Sequence, residues 1–128
     1  MFLKYNFAGI SWAIIIFILC MIPGKDMPDI SFWELFTFEK AAHSGVFGVL
    51  VFQLAMGFYK QYSFRILRYH ALQAAVMISI IYGGLLEILQ HLLLADRIGD
   101  VMDFIANSIG ALAGAATFHL LFKSIYLR

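Results

Sequence analysis

Glu87, Gln90, His91, Arg97, Asp100, Asp103 and Asn107 crowd into one stretch, LLEILQHLLLADRIGDVMDFIANSIGALAG from residue 85 to residue 114, of a chain otherwise built from aliphatic and aromatic side chains. Carboxylates, an imidazole, a guanidinium and amides are groups that move protons, hold anions and ligate metals. Their spacing is ordered. Glu87, Gln90 and His91 lie three and four apart and share one helical face. Asp100, Asp103, Asn107, Gly110 and Gly114 follow in steps of 3, 4, 3 and 4, again one face. Lys40 and His43, three apart at the start of another apolar run, can turn toward the same place.

The elements that hold these groups are membrane helices. Apolar residues make up 62% of the 128 and charged residues 13%, against roughly half and a quarter in soluble domains. Four runs are long enough to cross a bilayer as helices, about 3–22, 41–59, 71–94 and 101–122. The expected architecture is a single all-α transmembrane domain over residues 1–128. A net charge of +1 and the absence of a basic run argue against nucleic acid. Phe17, Ile18 and Leu19 before Cys20 give no small-x-small cleavage signal, so the first run reads as a retained span.

Basic residues set the expected direction. With the N-terminus inside, Lys4, Lys60, Arg65, Arg68, Lys123 and Arg128 are cytoplasmic, while Lys25, Lys40 and Arg97 are outside. That favours an N-in, C-in arrangement. All the carboxylates then fall in outer loops or at the outer ends of spans. Ser31 followed by Glu34 has capping-box spacing ahead of Phe32, Trp33, Leu35 and Phe36, which predicts a short interfacial helix in the first outer loop.

About six residues, 95–100, join the third and fourth spans, so these are antiparallel neighbours. Glu87 lies about 10 Å inside the outer end of its span, at the depth of Asn107 on the next. A polar cleft opening outward is the economical arrangement, with Gly110 and Gly114 allowing close helix approach below it. Plainer explanations compete at several positions. Asp100 and Asp103 suit a helix N-terminus, Arg97 an interface anchor, Asn107 interhelical adhesion and His91 the interface. Glu87 resists such an explanation, because an intramembrane carboxylate marks a functional or tightly paired site. His70 and His119 lie toward the other side, and Cys20 reads as a small packing residue.

These residues, in this order, resemble the VanZ-like family of small bacterial membrane proteins over nearly the whole chain. The likeness is carried by Ile22-Pro23-Gly24, Glu39-Lys40-x-x-His43, Gly84-x-x-Glu87-x-x-Gln90, Arg97, Asp100-x-x-Asp103-x-x-x-Asn107, Gly110 and Gly114. The chain departs from the family's habit at Cys20 and Ser44, where neither change removes an acid or a base. The resemblance implies a multi-pass protein of the bacterial cytoplasmic membrane with an envelope role, linked through the founding member to low-level teicoplanin resistance.

Functions of different class stand open. An intramembrane enzyme would act on an envelope lipid or lipid-linked precursor. Glu87 would be its general base, with His43 and Asp103 in the catalytic group, while Lys40, Gln90, Arg97, Asp100 and Asn107 hold the ligand. A binding or shielding protein would use the same cleft to capture an amphiphile or lipoglycopeptide unchanged. A proton or ion path fits less well, since 74–78 and 111–116 are small or apolar. No cofactor is called for and no metal site is assigned. Glu87 and His91, with His43 and Asp100 or Asp103, offer ligand types but no HExxH pattern. The oligomeric state is open.

Overall fold

Backbone crossing a bilayer must satisfy its own hydrogen bonds, which leaves helices for a chain this short. The computed structural model describes residues 2–21, 32–93 and 101–126, with side chains over 2–21, 41–93 and 102–122. Its elements are α1 (Phe2–Cys20), α2 (Phe32–Lys60), α3 (Arg65–Tyr69), α4 (Ala71–Leu93) and α5 (Val101–Tyr126). Four segments are long and apolar enough to span: Phe2–Cys20, Ala41–Lys60, Ala71–Leu93 and Met102–Phe122. No strand occurs among the described residues.

α2 begins at Phe32 and runs without a break into the second span. The segment expected to form a short interfacial helix is therefore continuous with that span in its backbone, and the expected cap at Ser31 lies outside the described residues. At the far end Gln61 closes α2. Its amide nitrogen donates to the carbonyls of Phe58 at 3.2 Å and Phe64 at 2.8 Å, and its oxygen accepts from the Phe64 N–H at 2.8 Å. These bonds occupy backbone groups that a helix end and its following turn leave open. The five-residue helix α3 fills the connection to α4.

The closest helix pair is α2 with α5. A side-chain carbon on Gly110 would meet the Ser44 backbone, and one on Gly114 would meet that of Gly48. Each helix thus contributes two small residues four apart to the seam, the arrangement by which membrane helices gain van der Waals contact. Phe47, Leu50, Val51, Ala55, Ala75, Leu86, Ala111 and Phe118 fill the space beside it. Outward-facing Ile14, Ile18, Met77, Ile81, Ile88 and Leu112 are exposed, as lipid-facing positions should be.

α1 is held differently. The Trp12 indole N–H donates to the Val46 carbonyl at 2.9 Å, the Tyr82 hydroxyl to Ala13 at 2.5 Å, and the Gln90 amide to Cys20 at 2.8 Å. Two side chains of α4 thus grip carbonyls of α1, while Trp12 of α1 grips one of α2. Antiparallel alternation brings the ends of α1 and α4 together with the starts of α2 and α5, and Glu87, Asp103 and His43 sit at that end. Lys4, Lys60, Arg65 and Arg68 gather at the other. There the Arg68 guanidinium lies 4.1 Å from the Tyr62 ring centre, and hydrogen bonding to Tyr62 raises its pKa above the usual arginine value.

Candidate functional site

The site begins with α4. Its buried residues include Ser79, Gly83, Leu86, Glu87 and Gln90, a strip in steps of three and four that faces the bundle. Glu87 is 8% exposed and Gln90 2%. His91, although four residues from Glu87, is exposed. Four residues turn a helix about 40° past a full turn, and Glu87 already stands at the edge of the strip that Gln90 continues on the other side.

α5 supplies Asp103 in its first turn and Asn107 one turn deeper, 4% and 1% exposed. Asn107 lies over Gly83 of α4, where a side-chain carbon would sit 3.2 Å from its amide nitrogen. The glycine makes room for the amide. α2 supplies His43, adjacent to the Ser44 backbone that meets Gly110, so the glycine seam fixes how far His43 stands from α5.

These elements bring His43, Glu87 and Asp103 together, with one ligand atom of each within 4.8 Å of the others. The His43 Nδ1 and Asn107 Oδ1 lie 2.8 Å apart. An amide oxygen only accepts, so in this arrangement Nδ1 carries a proton and donates it to Asn107. One imidazole and two carboxyl groups from three helices converge on one focus. Such a group can pass protons or ligate a cation.

Of the eight residues singled out for the site, His43, Glu87, Asp103 and Asn107 are brought together. Gln90 is buried on the same strip, with its amide nitrogen committed to Cys20 of α1. Arg97 and Asp100 lie outside the described residues, and so does the Lys40 side chain. His70 and His119 are exposed and away from the cluster.

Ser44, the one candidate nucleophile beside His43, donates its hydroxyl to the Ala106 carbonyl at 2.9 Å. Phe47 packs against Gly83 and lies 6.3 Å, centre to centre, from Tyr82, forming the floor below Asn107. The step of four from Ser44 to Gly48, matching that from Gly110 to Gly114, was the available signal for the seam.

A family model described as VanZ/LLP1 matches residues 4–123. No curated protein and no solved structure matches the chain.

Proposed function

The chain belongs to the VanZ/LLP1 family, and on that premise we propose that it is a bacterial cytoplasmic-membrane protein whose buried polar cluster acts on an envelope lipid or lipid-linked precursor. The observation that carries this is the convergence of His43, Glu87 and Asp103 from three separate helices. Ionisable groups inside a membrane domain are costly and by default functional. Glu87 serves as general base and His43 as its acid or base partner. Asp103 and Asn107 hold the arrangement, and Lys40, Gln90, Arg97 and Asp100 contribute to the ligand's polar head.

The commitment of the Ser44 hydroxyl to a backbone carbonyl narrows the chemistry. It favours activation of a water molecule or a substrate hydroxyl over a covalent serine intermediate. Orientation is N-in and C-in, which places the cluster toward the outer leaflet. The gathering of Lys4, Lys60, Arg65 and Arg68 at the opposite end supports that assignment.

The same commitment of polar groups also suits a second function, in which the cluster captures an amphiphile, a lipoglycopeptide such as teicoplanin among the candidates, without converting it. One experiment separates the two. Envelope lipids and precursors are extracted from cells making the wild type or Glu87→Gln at matched membrane levels, and compared by mass spectrometry. A species that appears or disappears only with Glu87 is expected; identical profiles reject catalysis and favour capture.

A further inference from the structure

We propose that His43, Glu87 and Asp103 bind a single divalent transition-metal ion, zinc or manganese. The proposal deepens the function above and rests on it for the ion's purpose, but not for the binding itself.

Geometry is the first support. One donor atom from each of three helices lies within 4.8 Å of the other two. Donors sharing an ion at about 2.1 Å stand no more than about 4.2 Å apart, so an approach of at most about 0.6 Å brings these donors to ligating distance. This donor set differs from the one the sequence suggested. Glu87 pairs with His43 across helices, while His91 on its own helix is exposed.

Electrostatics is the second. Glu87 and Asp103 are 8% and 4% exposed, and keeping carboxylate charge away from water is costly unless it is paired or coordinated. A divalent cation at their focus offsets that cost for both groups at once.

The third support is the posture of the imidazole. Histidines that ligate metals are commonly fixed by a hydrogen bond from the other ring nitrogen. Here Asn107 accepts that bond from Nδ1 at 2.8 Å, is itself 1% exposed and is packed on Gly83; on metal binding Nε2 gives up any proton it holds and serves as the ligand. A nitrogen with two oxygens suits zinc or manganese, and the converging set contains no thiolate to select copper(I). Three protein donors leave coordination positions for water or substrate, as in catalytic sites.

The test uses the full chain, purified without an affinity tag in lipid nanodiscs, stripped with a chelator and dialysed against buffered Zn²⁺ or Mn²⁺. Bound metal is counted by mass spectrometry and affinity is read by competition with a chelating dye. About one ion per chain is expected for the wild type, and less than about a tenth of that for His43→Gln and Asp103→Asn. Asn107→Ala should keep the stoichiometry and bind about 10- to 100-fold more weakly. Variants are compared only where elution and melting match the wild type; Asp103→Asn, nearly isosteric, guards against misfolding of the histidine variant. A wild type that binds under about a tenth of an ion, or a folded Asp103→Asn that binds as the wild type does, overturns the site. Binding together with unchanged lipid profiles upholds the site and rejects catalysis; altered lipids with no bound ion do the reverse.

Discussion

His43 and Asn107 are 64 positions apart in the sequence, and their side chains meet at 2.8 Å. The bond joins the start of the second span, in α2, to the first turns of α5 and engages Nδ1 of the imidazole. Replacing Asn107 by Leu should release the ring. Imidazole ¹⁵N shifts of the wild type are expected to report a protonated Nδ1, and that signature should be lost in Asn107→Leu. The lost bond should lower stability by about 0.6 kcal/mol, up to about 1.7. An unchanged ¹⁵N pattern would mean that Asn107 does not set the tautomer.

Gly110 is the most confined position of the α2–α5 seam, since any side-chain carbon there meets the Ser44 backbone. Gly110→Val should force the two helices apart at a cost of about 1–3 kcal/mol. It should also separate His43 from Asn107. Leu112→Val, on an exposed position of the same helix, is the control and should leave the melting temperature nearly unchanged. Equal melting of the two variants would contradict the seam.

Ser44→Ala removes a hydroxyl that donates to Ala106 at 2.9 Å. A modest stability loss of about 0.6 kcal/mol is expected, with the lipid profile of the wild type retained. Complete loss of that profile in a folded Ser44→Ala protein would instead make Ser44 the nucleophile.

Trp12, Tyr82 and Gln90 tie α1 to its neighbours through backbone carbonyls. Tyr82→Phe combined with Gln90→Leu should therefore loosen α1 selectively. Hydrogen–deuterium exchange is expected to rise along α1 while α2 and α5 keep their protection. A uniform rise across all helices would mean that these bonds support the whole bundle.

Orientation is tested with Tyr62→Cys in a Cys20→Ala background, Tyr62 being exposed beside Arg68. An impermeant maleimide should label it only in opened cells if the basic end is cytoplasmic; labelling in intact cells inverts the topology. The pKa of Arg68 is raised above the ordinary arginine value by hydrogen bonding to Tyr62. A raised folded-state pKa means that the charge's contribution is fully present below the ordinary arginine value and is lost only above it. Orientation should accordingly not change with pH over the range in which cells live.

Much of this site is legible in the sequence, because helical periodicity is a strong signal in long apolar runs. The steps that place Glu87 with Gln90, and Asp103 with Asn107, each on one face, survive in the folded chain. What periodicity within one helix does not carry is rotation relative to another helix. By spacing, Gln90 and His91 both lie near Glu87, yet packing turns Gln90 onto α1 and leaves His91 exposed. That His43 bonds Asn107 depends on the seam of Ser44 and Gly48 with Gly110 and Gly114, which is a relation between helices. The short α3 carried no periodic signal because five residues are too few to repeat one.

The tightest seam joins α2 to α5, which are separated in the chain by α3 and α4. During synthesis, α2 enters the membrane with its small-residue groove bare and His43 without its amide partner. Glu87 follows on α4, and only the arrival of α5 brings Asp103 and Asn107 to close the group. The polar cluster is thus completed only when α5 joins. Until then the nascent protein carries half-built polar surfaces in the bilayer, a state in which quality-control proteases and insertion chaperones would meet it.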